Sequence, residues 1–376
     1  MEPYIIIFII NLLLSYIANR CYDKNQKAMS ILCLMILVAT NVVFSGFRDF
    51  GVGRDTNIYI DRFFSSAQSL KGIKDFMAFE EDKGYLVLAY ISTLFSNESQ
   101  SLLVVTSLFI QALFYMAIWQ YKKTNNISIF IATGIFCIMY YCHTLNLMRQ
   151  FCAIVLLAYA FSLYIQGKRK AYIVLQILAY FFHSSSVLFV FVPALWEMSK
   201  IENNKKKYTY YVIFTIALFV FISGYYYFLS LFGNIGIISD VYSDRYNASG
   251  DFIAEGNQTR LGIQRLVRYC YPVAFAFYAI YKKVMDNKQL YFVLALTTAS
   301  SLLQSLSLQV LFMDRLAFYF GFVAFIFTAK IFMSRRLSTA IKSIVIFLYV
   351  WDWYNLYILG GGGDIIPYKS KILGIM

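Results

Sequence analysis

The chain has 376 residues, of which 60% are apolar and only 14% charged, with a mean hydropathy of +0.61. Soluble domains carry roughly 25% charged residues, so the composition excludes a soluble enzyme; at about 20 residues per bilayer crossing it also leaves too little chain for a separate soluble catalytic domain. A net charge of +13 would suggest a nucleic-acid partner in a soluble protein, but here it lies in the connectors between apolar runs, so no nucleic acid is expected.

The apolar runs in chain order are 3–18, 28–47, 102–121, 127–141, 147–166, 171–182, 185–198, 208–232, 266–281, 289–306, 316–333 and 340–359. They predict an all-α, polytopic membrane protein, a single domain over 1–376 with about twelve transmembrane helices. The first run lacks a basic leader and a small-residue cleavage site and reads as a retained helix. A further run, 84–95, has only twelve residues, about 18 Å of helix, too short to cross unaided. It is expected to be interfacial or re-entrant.

With that run not crossing, the six basic connectors fall on one side. They carry 18 Lys and Arg against Asp23, Glu197, Glu202 and Asp286, a net of +14 that accounts for the charge of the whole chain. That side should be cytoplasmic. Two longer loops, about 48–101 and 233–265, and both termini then face the periplasm of a bacterial inner membrane. The six cysteines lie in or beside apolar runs with no CxxC spacing, so neither a disulfide framework nor a thiolate metal site is indicated. No repeat of 20 to 50 residues and no inverted repeat is evident. Glycines 360–363 end the last helix and release a free tail.

Four polar segments interrupt this pattern. In GFRDFGVGRDTNIYIDRFF, Gly51 and Gly53 permit a tight turn, Asp55 or Thr56 can cap a following helix, and Asp55, Tyr59 and Arg62 share a helical face. Helix N-terminal donors beside Arg48 and Arg54 would suit an anion, although a solvated loop helix with internal Arg/Asp pairs explains the residues as well. The acidic stretch Glu80, Glu81, Asp82 reads as solvated surface. In YYCHTLNLMRQFCA, His143, Asn146, Gln150 and Ala153 follow i, i+3, i+7, i+10 with Arg149 beside them, and they share one helical face. Snorkelling explains an Arg near a helix end, but not its polar neighbours.

His183, in YFFHSSSV at an outward turn, is either a helix-end cap or a general base suited to proton transfer near neutral pH. Arg260, Arg265 and Arg268 approach the membrane from the second long loop, and Arg315 returns on the same side, where the orientation rule does not expect Arg. They are either aromatic-belt anchors or phosphate ligands. No HExxH, DxD, Walker A, GxSxG or Cys/His metal spacing occurs, so no metal and no cofactor is expected.

FRDFGVGRDTNIYIDRF, KGYLVLAYISTLF, NLMRQFCA, YFFHSSSVLFVFVPAL, DRLAFYF and the terminal IIPYK together resemble the EpsG-like family of polysaccharide polymerases, the Wzy-type proteins of O-antigen and exopolysaccharide assembly. Arg149, Gln150 and His183 stand in the family's RQ and FH positions, and the glycine-rich tail looks peculiar to this chain. The resemblance implies periplasmic joining of undecaprenyl-diphosphate-linked oligosaccharide repeat units, with the lipid-linked oligosaccharide as both donor and acceptor, in lipopolysaccharide or exopolysaccharide biosynthesis, alongside a chain-length regulator of the Wzz type.

The expected enzyme is therefore a metal-independent membrane glycosyltransferase. His183 is expected as base and Arg149 as leaving-group cation, with Arg48, Arg54, Asp55, His143, Asn146, Gln150, Arg260, Arg268 and Arg315 binding substrate. The alternatives are a flippase or transporter of lipid-linked oligosaccharide and a membrane glycosyltransferase adding single sugars from a lipid-phosphate donor.

Overall fold

The computed structural model describes residues 1–223, 262–307 and 313–375. Among them all regular structure is helical, apart from one isolated bridge between Ser370 and Ile375. The chain divides into two compact units, Met1–Ser186 with Ile346–Met376, and Val187–Val345.

The first unit contains α1 (Glu2–Asp23), α2 (Lys27–Gly46), the short loop helices α3 (Thr56–Tyr59), α4 (Ser65–Ser69) and α5 (Ile73–Ala78), then α6 (Lys83–Thr93), α7 (Gln100–Asn125), α8 (Ile129–Met139), α9 (Tyr141–Asn146), α10 (Met148–Ile165) and α11 (Arg169–Phe182). The second contains α12 (Phe191–Ser199), α13 (Asn204–Ser223), α14 (Ile263–Tyr281), α15 (Asn287–Leu306) and α16 (Met313–Met333); α17 (Thr339–Trp353) runs across the boundary.

Helix α1 shows how an almost wholly apolar sequence acquires an inside. Tyr4, Ile7, Asn11, Ser15 and Ala18 recur at three- and four-residue intervals and are buried, while Ile5, Ile6, Ile9 and Leu13 point outward. The buried stripe is the more polar one, as suits a helix whose other side meets lipid. Asn11 and Asn41 exchange amide hydrogen bonds of 3.0 and 2.9 Å, joining α1 to α2 inside the bundle. Helix α10 lies at the centre, packed on α7 and α11, with Phe151, Ala153, Val155, Leu157, Ala158 and Phe161 fully buried.

Side-chain contacts fix which helix ends lie together in the first unit. Lys122 pairs with Asp23 at 2.7 Å, Asn19 accepts from the Ile129 N–H at 2.9 Å, and Gln166 donates to Gln120 at 3.3 Å, so three basic connectors gather at one end. At the other end Gln100 donates to the Arg48 carbonyl at 3.1 Å, and Arg48 donates to the Leu145 carbonyl at 2.9 Å. Helix α6 therefore lies between two points on that same end. Its eleven residues make about 16 Å of helix.

Several runs that look continuous in sequence are broken. The 127–141 run yields an eleven-residue α8, because the helix breaks at Tyr140 (φ −128°, ψ −25°). The 185–198 run begins as a 3₁₀ segment, and the 340–359 run ends as a π-helical one. The 208–232 run extends beyond the described residues. Among the described residues five helices are long and apolar enough to cross a membrane: α1, α2, α7, α10 and α16. The chain is thus a membrane-embedded helical protein, and Ile129–Met139 and Ser184–Ser199 are shorter apolar segments.

In the second unit α15 packs on α14 and α16, and Trp196 of α12 sets its ring edge-on to Phe292 and tilted to Phe327, at 5.1 and 5.8 Å. Lys330 reaches Gln289 at 2.9 Å.

Glycine at position 84 is required by close approach. A Cβ there would stand 2.9 to 3.0 Å from the Phe181 carbonyl and the Phe182 nitrogen, so α6 begins against the last turn of α11. Gly84→Ala should lower stability by about 1–3 kcal/mol through overpacking against rigid backbone. Gly72→Ala, with nothing within 4 Å, provides the comparison. Thermal unfolding in detergent checks it; equal midpoints for the two variants would refute the contact.

Candidate functional site

The first long loop is held by Arg48. Its side chain is buried and donates through Nε to the Val52 carbonyl at 3.1 Å, and through Nη2 to the Leu145 carbonyl at 2.9 Å and Met148 Sδ at 3.3 Å; Nη1 donates to the Ser45 carbonyl. Burial pulls its pKa below the ordinary arginine value, and nearby tyrosines oppose this. Gly53 has φ +98°, and a Cβ there would stand 2.8 Å from the Leu145 carbonyl oxygen, so this turn admits glycine alone without strain.

The donors that the sequence offered to an anion are engaged by the chain itself. Gly53 N–H and Arg54 N–H donate to the Asp364 and Gly363 carbonyls at 3.1 and 2.8 Å, and Asp55 N–H donates to Asn146 Oδ1 at 3.0 Å. Thr56 Oγ1 donates to the Val52 carbonyl at 3.0 Å, and the Asp55 side chain makes no capping bond.

The tail is not released after the glycines but docks on this loop. Asp364 pairs with the exposed Arg54 at 3.0 Å, and that bond and charge hold its carboxyl below the usual range. Tyr368 stacks on Phe44 at 4.1 Å and donates to its carbonyl at 2.6 Å, and Asp49 N–H donates to the Lys369 carbonyl at 2.9 Å. Between loop and tail lies an open pocket of about 650 Å³ lined in part by Asp49, Gln100, Asp364, Lys369 and Lys371.

Arg149 occupies a different environment in the same unit. Its Nη1 lies 2.9 Å from Asp82 Oδ2 and 3.4 Å from Glu81 Oε2, and its guanidinium sits over the rings of Tyr59 and Phe63 at 5.2 and 5.1 Å. The other oxygen of Glu81, Oε1, receives Arg62 Nε at 2.6 Å. Both carboxylates are only 10% exposed and Arg149 17%. Two cations and two anions from the loop helix, the start of α6 and the start of α10 thus form one ion-pair network. Arg62 belongs to a π-helical segment, Ile60–Phe64, which inserts one extra residue between Tyr59 and the following turn. Burial, reinforced by Glu81 and opposed by Arg149, pushes the Asp82 carboxyl up to about 7.

The remaining sequence candidates fall in several places. His143 and Asn146 do not share a helix with Arg149 and Gln150, because the chain turns at Leu147 (φ −91°, ψ 49°) between α9 and α10. His143 stacks against Phe151 and meets the edge of Tyr357, at 6.3 and 5.6 Å, and Gln150 is buried. His183 is half-buried at the end of α11, with Nδ1 2.7 Å from Ser185 Oγ. Arg268 and Arg315 belong to the second unit, where both interact electrostatically with Asp314. Arg260 lies outside the described residues.

Glu81 and Asp82, read from sequence as solvated surface, are the residues that this reading missed. The available signal was an acidic pair immediately before a short apolar helix, on the same side as an Arg at a membrane helix end, since such a charge seeks a partner.

The charged network thus stands at one end of an apolar helix bundle in a membrane-embedded protein. The chain belongs to the EpsG family, whose family model matches residues 31–370, and the family comprises Wzy-like proteins of polysaccharide-polymerase type. No curated protein and no solved structure matches it.

The raised Asp82 carboxyl sets a pH dependence. The folded state holds this proton up to about pH 7, whereas the unfolded chain releases it near 3.9. The stabilisation it gives is therefore full below about pH 4 and is lost as pH rises through 7. Thermal midpoints in detergent should fall from pH 5 to 7.5 more steeply for the wild type than for Asp82→Asn; parallel curves would contradict the burial of this carboxyl.

Proposed function

We propose that the protein joins undecaprenyl-diphosphate-linked oligosaccharide repeat units at the periplasmic face of the bacterial inner membrane, making O-antigen or a related surface polysaccharide. The polysaccharide-polymerase character comes from the family. The single observation that carries the site is the Arg149 network, a cation held ready at the end of an apolar bundle. In the reaction, an acceptor hydroxyl attacks the anomeric carbon of the donor and undecaprenyl diphosphate departs. Arg149, whose planar fork matches phosphate oxygens, stabilises the charge gathering on that leaving group. His183 and Asp82 are the two groups in the same unit able to take the proton in this reading.

The side of the membrane follows from charge. In the first unit three basic connectors gather at the end opposite Arg149, and basic connectors stay in the cytoplasm. In this reading Arg149 faces the periplasm, the whole chain crosses about twelve times, and a Wzz-type chain-length regulator is its partner. A flippase would instead hold its charges near the midplane, whereas Arg149 is the second residue of its helix.

Purified protein given lipid-linked repeat units should produce a ladder of polymer on a gel, and the ladder should survive a strong chelator. Arg149→Lys keeps the charge but loses the fork and the ring stacking, and should cut the rate by about 10²-fold or more, with single repeats accumulating in cells. Unchanged polymer would remove Arg149 from the site. Reporters fused after Lys170 should read as cytoplasmic and those within residues 48–83 as periplasmic; a cytoplasmic reading for the loop would overturn the orientation.

A further inference from the structure

The Arg149 network poses a problem of charge. With both carboxylates ionised, Arg62 and Arg149 are matched by Glu81 and Asp82, so the four groups together are neutral and offer no net attraction to a leaving diphosphate. A proton arriving on one of the carboxylates would change that. Glu81 is poorly placed to receive it, since Oε1 is held by Arg62 at 2.6 Å and Oε2 faces Arg149. Asp82 is placed better. Its Oδ2 receives Arg149 at 2.9 Å, while its Oδ1 accepts no hydrogen bond from a described residue. Although Asp82 stands at the N-cap of α6, its carboxylate makes no capping bond, so it is not held by its own helix.

We propose that Asp82, rather than His183, is the proton acceptor of the transfer, and that by taking the proton it releases Arg149 to the leaving diphosphate. This rests on the polymerase reading above. The acceptor hydroxyl gives its proton to Asp82 Oδ1 as its oxygen bonds to the donor's anomeric carbon. The bond from that carbon to the diphosphate oxygen breaks, and the electron pair stays on the diphosphate. The network passes from neutral to a net charge of +1 as negative charge collects on the leaving group. A histidine base at position 183 would lie outside the four ion-paired groups and leave them neutral, with Arg149 still bound to two carboxylates. The burial that lifts the Asp82 carboxyl to about 7 suits a group that must gain and lose a proton at neutral pH.

The test uses the full-length protein in nanodiscs, with lipid-linked repeat units extracted from producing cells that lack it. Initial polymerisation rates are measured together with binding of undecaprenyl diphosphate. Asp82→Asn should lower the rate by about 10²- to 10⁴-fold while binding undecaprenyl diphosphate at least as tightly as the wild type, because the competing anion is gone. Asp82→Glu should recover part of the rate, and added formate should restore turnover to Asp82→Ala. Three results would count against the proposal. Asp82→Asn within tenfold of the wild-type rate overturns it and leaves the polymerase reading standing. Loss of binding together with turnover in both Asp82→Asn and Asp82→Glu overturns it in favour of a positioning role. A wild-type protein that binds undecaprenyl diphosphate yet makes no ladder overturns the polymerase reading itself, and the base role with it.

Discussion

A guanidinium at the edge of an apolar bundle must have its charge matched, because neither lipid nor the bundle interior solvates it. For Arg149 the match comes from Glu81 and Asp82, 68 and 67 positions earlier in the chain. Much of the local architecture follows from this demand. The long loop has to bring an acidic pair back to the start of α10, and α6 has to begin there, which the absence of a side chain at Gly84 allows by letting α6 meet the backbone of α11. The rings of Tyr59 and Phe63 then cover the guanidinium.

Arg48 answers the same demand in another way. It meets main-chain carbonyls from α2, the loop and the end of α9 in place of carboxylates, and so holds three segments together where no regular hydrogen-bond ladder could. Two arginines that look alike in sequence thus have different work. Arg48 is buried and held by main-chain carbonyls, whereas Arg149 is paired with two carboxylates. The docked tail extends the Arg48 arrangement by occupying the backbone donors at Gly53 and Arg54, which takes them away from any anion at the glycine turn.

Membership of the EpsG family and the ion-pair network bear on function at different levels. The family supplies the general role in polysaccharide polymerisation. In the proposed reaction the net charge of the network is set by one proton, which the acceptor hydroxyl delivers to Asp82.

The class of protein is legible in the sequence. Low charge, long apolar runs and basic connectors are composition and periodicity, and they report directly on a lipid environment because burial in lipid selects residue types one by one. It also identified Arg149 and the first long loop as notable, and the short length of the 84–95 run. It could not show that His143 and Asn146 lie on a different helix from Arg149, since the break at Leu147 has no proline or glycine to mark it. Nor could it assign partners. Arg48 and Arg149 are distinguished only by what surrounds them, and the fate of Glu81, Asp82 and the tail depends on contacts spanning 67 to more than 300 residues. Ion pairing and carbonyl clamping act through distance in space, which hydropathy along the chain does not encode, so these choices belonged to the tertiary structure alone.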